Sequence, residues 1–500
     1  MKALQCSPPL LNEVSVDEIN ELNEVNAAST KGEGKLAIRQ SLRASTLDGM
    51  FSSAFENIVR GVLISHFLLG LGAGAFEIGL LSSIPMMAHL LQPLGAYFSE
   101  KSTSRHLYCL LIYGTSRLLW LLPAAGIFLF THGAIDAHAL SLLTLAVLTV
   151  SNILDAVGCA SWMSWMAALV PARIRGRYFS LRRSLASLTA LLTIPVGGWL
   201  VSSWLGGEVE GYAIALIVAV IMGLTSLVFQ FWMSDINPQA ASQPKAKAKT
   251  KNSNSIASVD LVASVDSLTA SQAAPADLSL LKNTNFLILL LFFGVWTFSV
   301  NLSAPFFNLY LLDTLHLNIQ WVTLYNSFMY GAFFLTIMLW GRLADAIGNR
   351  PVLIVNCLLV ASIALMWSYV GGSAVSLWLL LPLLHLLQGT AFAALDLCLA
   401  NIQLELAPLT QQSTYFAVAA AVMGVTGALG TTAGSYLAEL STVGLPALFA
   451  ITAVVRLVSI VPLAFVKEDR AHSIRHLLSQ WRLLPVWQPV KIKAYNDTTL

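Results

Sequence analysis

Ionisable side chains lie inside apolar stretches of this sequence, where a charge is costly unless it has a partner or a task. Glu56 and Arg60 are four residues apart, so a helix places them on one face. Arg117 has no acidic neighbour in sequence, and Asp155 or Glu56 is its expected partner; Asn152 lies beside Asp155. Such groups can form switchable ion pairs and exchange protons. A self-satisfied structural pair explains Glu56 and Arg60 equally well.

Polar residues in the C-terminal half are mostly uncharged. His385, Gln388 and Asp396 share one apolar stretch. Histidine titrates near neutral pH, so His385 is a proton-carrying candidate, although a lone histidine in a helix bundle more often only forms hydrogen bonds. Asp396 is the strongest candidate for solute binding in this half. Uncharged candidates for a cavity wall are Asn301, Asn308, Tyr325 and Asn326.

The composition indicates an all-α membrane protein. Of 500 residues, 56% are hydrophobic and 11% are charged, whereas a soluble domain carries about 25% charged residues. The net charge of +2 gives no reason to expect a nucleic-acid partner. The sequence has no nucleotide-binding loop, no metal-ligand spacing among its cysteines and histidines, and no hydrolase motif. We therefore predict no cofactor, no metal and no enzymatic activity.

Twelve stretches are long enough to cross a bilayer as helices. Loops after the second, fourth, sixth and eighth stretches contain lysine or arginine, and loops after odd-numbered stretches contain neither. This bias predicts that both termini are cytoplasmic. Asp48, near the cytoplasmic end of the first stretch, is expected to be interfacial or capping. The predicted spans are 46–70, 76–98, 107–131, 138–168, 181–205, 211–233, 284–312, 320–342, 351–371, 375–406, 412–439 and 443–466.

Composition also divides the chain into domains. A stretch rich in Ser, Ala and Lys separates six spans from the next six and reads as a disordered linker. The predicted domains are a cytoplasmic segment 1–44, a six-helix bundle 45–233, the cytoplasmic linker 234–283, a second six-helix bundle 284–466 and a cytoplasmic amphipathic tail 467–500.

An internal repeat relates the two bundles. "LVPARIRGRYF" at 169–179 aligns with "LAPLTQQSTYF" at 406–416, and Gly197 aligns with Gly434 at the same offset. Gly95 aligns with Gly341 at a nearby offset, each near the end of the second span of its half. Matches at equivalent places predict two structurally related halves.

The loop "GRLADAIGNRPVL" at 341–353 resembles the loop motif of the major facilitator superfamily. Arg175 and Arg177 belong to "RGRYF", which is similar to the loop between spans four and five in a bacterial branch of that superfamily. The resemblance implies two pseudo-symmetric six-helix bundles and a transport role. It also implies that Gly341, Asp345, Gly348 and Arg350, with the two loop arginines, form a gate on the cytoplasmic side.

The loop motif also has a physical interpretation. Gly341 would let two helices approach closely, and Gly348 would permit a turn. Asp345 would reach an arginine or the N-terminus of the following helix, and so latch helix ends together while the cytoplasmic side is shut. A plain topogenic loop is the alternative. The first-half copy is degraded, because Ser99 occupies the Asp position and Glu100 follows it.

These features predict a secondary transporter that moves a small solute by alternating access, coupled to protons. We expect a monomer in the plasma (inner) membrane, with the small-molecule substrate, protons and the lipid bilayer as its partners. A membrane scaffold or sensor that keeps the fold without transport is the main alternative.

Overall fold

The computed structural model describes residues 16–100, 104–170, 175–235, 283–407, 412–440 and 444–468. Within these residues all regular secondary structure is helical. Most of the predicted linker and nearly all of the predicted tail lie outside the described residues, so both remain predictions.

Six spans form the N-terminal half, and each consists of one to three consecutive helical segments. The bounds are Val16–Val59 with Val62–Gly70 for span 1, Ala75–Ala88 with His89–Leu91 and Gln92–Glu100 for span 2, Arg105–Leu118 with Leu121–Thr131 for span 3, Ala137–Leu169 for span 4, Arg175–Ser202 for span 5 and Glu208–Gln230 for span 6.

Six spans likewise form the C-terminal half. The bounds are Thr284–Asn301 with Ala304–Leu309 and the π-turn Tyr310–Thr314 for span 7, Ile319–Ile347 for span 8, Asn349–Trp367 for span 9, Ser376–Leu380 with Leu381–Leu406 for span 10, Gln412–Glu439 for span 11 and Gly444–Phe465 for span 12.

Spans 1 and 2 differ from the other ten, which are long and apolar enough to cross a membrane. The predicted part of span 1, residues 46–70, carries the charged residues Asp48, Glu56 and Arg60, and the span breaks at Gly61, whose φ of +75° suits glycine. Its first helix begins at Val16, well before residue 46, where the predicted membrane span begins. Hydropathy locates the part that fits the bilayer, whereas residues with good helix propensity extend the helix beyond it.

The two halves repeat each other in structure. Leu169 ends the helix of span 4 and Leu406 ends that of span 10, as the repeat predicts. Tyr178 and Tyr415, also equivalent by the repeat, are both buried near the starts of the next spans. Twelve spans in two pseudo-symmetric six-helix bundles are therefore confirmed.

The halves meet along two seams, span 5 against span 8 and span 2 against span 11. We call the end of the bundle that carries the loops after even-numbered spans the linker end, and the other the opposite end. Near the opposite end, a side chain on Gly198 would clash with Thr323 and one on Gly79 would clash with Ser435. Glycine thus allows both seams to close tightly there.

Hydrogen bonds reinforce this closure at the opposite end. Gln320 Nε2 donates to Ser202 Oγ at 2.5 Å across the first seam. Across the second, the backbone N–H of Phe76 donates to Glu439 Oε1 at 3.1 Å. Both seams are therefore bonded at the same end of the molecule.

Candidate functional site

A cavity of about 290 Å³ lies between the two halves. Six of the predicted site residues line it, two from span 1 and four from the C-terminal half: Glu56, Arg60, Asn308, Asn326, His385 and Gln388. Its position follows from the fold, because span 1 faces spans 7, 8 and 10 where the two bundles meet. We call it the central cavity.

Arg60 pairs across the N-terminal bundle rather than along its own helix. Its Nη2 forms an ion pair with Asp155 of span 4, whose other carboxylate oxygen accepts a hydrogen bond from Ser116 Oγ at 2.8 Å. Glu56 has only a distant contact, 3.5 Å from Ser52 Oγ. The interpretation of Glu56 and Arg60 as a self-satisfied pair is therefore wrong in this structure.

Arg117 is buried without a carboxylate partner among the described residues. Its side chain donates to Ser52 Oγ at 3.1 Å and lies near the rings of Phe55 and Tyr113, 5.8 and 5.7 Å from their centroids. Arg117 forms the expected ion pair with neither Asp155 nor Glu56. Asp155 pairs with Arg60 instead. Arg117 and Glu56 line the same neighbouring cavity, which has a volume of about 460 Å³ and lies in the N-terminal half. Their opposite charges therefore face one shared space.

Asp48 is the carboxylate whose role the sequence did not indicate. It was expected at the interface or as a cap, but it is only 2% exposed. It accepts hydrogen bonds from Arg182 Nη2 at 3.3 Å, Ser226 Oγ at 2.9 Å and Gln230 Nε2 at 3.1 Å. The i+4 spacing of Ser226 and Gln230 on span 6 was the available signal, since it places two donors on one helix face.

The C-terminal wall of the central cavity offers uncharged hydrogen-bonding groups. Asn326 Nδ2 donates to Asn308 Oδ1 at 2.9 Å, which leaves the amide N of Asn308 and the amide O of Asn326 without this bond. His385 Nδ1 lies 2.8 Å from the carbonyl of Leu381, so Nδ1 carries the proton and Nε2 is an acceptor when the ring is neutral. The buried Oε1 of Gln388 has no partner among the described residues.

Three uncharged residues among those predicted also lie away from the central cavity. Asn301 donates to the carbonyl of Thr297 and Tyr325 to that of Leu377, each within 2.9 Å. Neither lines the central cavity, so that expectation was wrong for both. Asn152 lines the neighbouring cavity of the N-terminal half instead.

Asp396 bridges the two halves. Its Oδ1 lies 2.5 Å from Nη2 of Arg183 on span 5. Both residues line a third cavity, of about 550 Å³, nearer the linker end than the central one. The sequence offered no partner for Asp396 in its own half, and the partner indeed comes from the other half. Asp396 is therefore placed to join the halves rather than in the wall of the central cavity.

Arg456 of span 12 is a further residue of the central cavity wall that no sequence prediction assigned. It is 1% exposed. Its guanidinium donates to the carbonyl of Val360 and to Ser303 Oγ, each at 3.0 Å. It has no ion pair among the described residues. The available signal was its position in the middle of an apolar span.

The loop between spans 8 and 9 keeps one of the two predicted glycine roles. Gly348 has a φ of +93°, which confirms the predicted turn. A side-chain carbon on Gly341 would lie an ordinary 3.5 Å from Leu397, so close helix approach does not explain this glycine. Close approach occurs at the equivalent Gly95 of span 2, where a side chain would clash with the backbone of Val157.

A different carboxylate occupies the helix N-terminus that Asp345 was expected to reach. Glu468 accepts from the backbone N–H groups of Asn349 at 2.7 Å and Arg350 at 2.8 Å. The guanidinium of Arg350 bonds to the carbonyl of Ala464. Asp345 is exposed and bonds to none of the described residues. The side chains of Arg175 and Arg177 lie outside the described ones, so their gating role stays a prediction.

The sequence was compared with models of protein families and with curated proteins. The family model "Major Facilitator Superfamily" matches residues 49–337 and 297–492. A search of curated proteins finds no match.

Solved structures share the fold at low sequence identity. The xylose transporter XylE from E. coli, in an inward-open conformation, is 14% identical, with a TM-score of 0.60 over 89% of this chain and 100% of that one. The nucleoside transporter NupG is 15% identical, with a TM-score of 0.58 over 87% and 100%. A bacterial homologue of the iron transporter ferroportin, in an inward-facing state, is 13% identical, with a TM-score of 0.60 over 86% and 98%.

Proposed function

The chain belongs to the major facilitator superfamily, and we propose that it is a secondary active transporter that moves a small solute by alternating access, coupled to protons. The single observation that carries the proposal is the central cavity. It lies between the two bundles, is lined by both, and is sealed at the opposite end by two bonded seams. Rocking of one bundle against the other would open such a cavity to each side in turn.

Orientation follows from the charged loops. The bias of lysine and arginine supports a cytoplasmic linker end with both termini inside the cell, in the plasma membrane. The sealed end then faces outward, and the state described is closed to the outside. In this state the latch of Asp345 is not needed, because its proposed role is to hold the cytoplasmic side shut. Asp345 bonds to none of the residues that the structure describes, which agrees with that assignment.

The coupling mechanism uses the arginines and carboxylates of the N-terminal half. Asp155 holds Arg60 in an ion pair, while Glu56, one helical turn from Arg60, pairs with no cationic side chain of the described residues. A proton bound by Asp155 would weaken the pair and free Arg60 to turn toward Glu56. Arg60 would then change its position at the wall of the central cavity. Loading of the proton and arrangement of the solute site would thus be linked through one side chain.

The test is a flux measurement in proteoliposomes that contain a trapped pH-sensitive dye. Pools of small neutral, anionic and cationic solutes are added outside at equal pH. A transporter of this kind acidifies or alkalinises the lumen with at least one pool, and Asp155→Asn removes that signal. No pH change with any pool, together with no exchange of labelled solute, would favour a non-transporting scaffold or sensor.

A further inference from the structure

The charged side chains inside the bundle do not balance. In the apolar parts of the described spans, from residue 46 onward in span 1 and away from the helix ends, five arginines face four carboxylates. Three arginines hold bonded partners: Arg60 with Asp155, Arg182 with Asp48 and Arg183 with Asp396. Glu56 and Arg117 remain in the N-terminal half and share one cavity. One positive charge, that of Arg456, is therefore left without a counter-charge.

A buried arginine without a counter-charge, such as Arg456, is energetically unfavourable. It is buried in the middle of span 12, between the first and last turns of Gly444–Phe465. Its guanidinium donates to the carbonyls of Val360 and Val300 and to the hydroxyl of Ser303, which satisfies part of its hydrogen-bonding capacity. They carry no net charge, and its Nε has no partner among the described residues. A buried cation gains most from an anion at its side.

The cavity beside Arg456 suits an organic anion rather than a bare ion. Phe307 and Trp367 lie with their ring centroids 4.6 Å apart and both belong to the cavity wall, as does Phe392. Flat apolar walls of this kind bury rings. Gln388 adds a carboxamide whose N–H₂ can donate to a carboxylate. The volume of about 290 Å³ restricts the occupant to a small molecule.

We propose that the solute is a small organic monoanion with a ring, whose carboxylate supplies the missing counter-charge of Arg456 while its ring packs against the aromatic wall. The proposal rests on the proposed transport function and specifies its substrate class. The proposal also explains why transport would be coupled to protons. A monoanion that enters together with one proton moves no net charge across the membrane.

The first test uses the purified unmodified protein and matched pairs of probes. Benzoate is compared with benzamide, and indole-3-acetate with indole-3-acetamide, because each pair differs in charge and hardly in shape. Bound ligand raises the melting temperature. The proposal expects at least one carboxylate to raise the melting temperature and its amide to leave it unchanged. Equal shifts within both pairs, or no shift with either carboxylate, would overturn it.

The second test assigns the anion to Arg456. Arg456→Gln should weaken binding of the active carboxylate by about thirtyfold or more, whereas Arg456→Lys keeps the charge and should retain most of the affinity. If the glutamine variant fails to fold, the lysine variant and the probe pairs still decide the matter. Binding of the carboxylate that is unchanged in Arg456→Gln would refute the assignment.

The flux measurement separates the two proposals. If a neutral solute drives proton movement and no anion does, transport stands and the monoanion proposal falls. If no solute drives proton movement or exchange, the transport function itself fails.

Discussion

The two halves share one fold and differ in what they place around the central cavity. The N-terminal half contributes a network of charges, in which Arg60 pairs with Asp155, and Asp48 binds Arg182. The C-terminal half contributes carboxamides, a histidine and aromatic rings, and among its described residues Arg456 is the only charged one in the wall. The difference suggests a division of labour within a symmetric scaffold. One half would hold protons, and the other would hold the solute.

The two halves can differ in the residues that face the cavity because their close approach is set elsewhere, at the two seams. Gly79 and Gly198 allow the halves to meet, and neither is a wall residue. The predictions below test whether the division between the halves is real.

The largest effect is expected from neutralising the N-terminal carboxylates. Asp155→Asn or Glu56→Gln should abolish proton-driven accumulation of the solute and leave exchange at equal pH measurable, since the bundle still rocks without proton coupling. Gln388→Ala is the matched change in the other half. It should weaken solute binding and leave the ratio of protons to solute unchanged. Full accumulation by both carboxylate variants would end the assignment of coupling to this half.

Asp48 should matter for stability more than the exposed carboxylate of the loop. Asp48→Ala leaves Arg182 without its buried partner and should lower the free energy of unfolding by about 3–5 kcal/mol. Asp345→Ala, at an exposed site, should change it by less than about 0.5 kcal/mol. Titration with a denaturing detergent measures both. A loss for Asp48→Ala no larger than that for Asp345→Ala would show that the network around Asp48 is not structural.

The ion pair between Arg183 and Asp396 should bias the molecule by a modest amount. Arg183 is largely exposed, so the pair is worth up to about 1 kcal/mol, or a fivefold change in the population of the joined state. Asp396→Asn should speed alkylation of a cysteine placed at Leu399. The double variant Arg183→Asp with Asp396→Arg should restore the slower rate. Equal alkylation rates in all three proteins would mean that the pair does not join the halves in the membrane.

The smallest effect concerns the cap on span 9. Glu468→Ala removes the acceptor of two backbone N–H groups and should cost about 1 kcal/mol of stability. The neighbouring Lys467→Ala is the control and should be nearly neutral. If the two variants unfold at the same detergent concentration, Glu468 does not stabilise the N-terminus of span 9. Asp345 would then again be the expected cap of that helix.

The fold was predictable from sequence because hydropathy and charge report directly on the bilayer. The ends of spans 4 and 10 agree with the repeat to the residue at Leu169 and Leu406. Helix breaks were harder, since the break at Gly61 and the early start at Val16 leave little trace in apolar periodicity.

The partners within the site could not be predicted, because they depend on how helices face one another. Residues of one helix suggest neighbours at i+4, and so Glu56 was matched with Arg60. The observed partner, Asp155, lies 95 positions away. Asp396 likewise pairs with Arg183 of the other half, far away in sequence. Glu468, just after span 12, binds the N-terminus of span 9. A single sequence holds the residue types of such contacts but not their geometry.

Alternating access is the central claim, and paired distances at the two ends test it most directly. Spin labels at Leu181 and Leu404 report on the linker end, and labels at Leu205 and Trp321 report on the opposite end, each in a protein whose five native cysteines are replaced. Distances are measured in lipid at low and high pH, with and without a solute that drives flux. The account predicts that one pair lengthens as the other shortens, and that Asp155→Asn removes the response to pH. Two distances that stay fixed under every condition would contradict it.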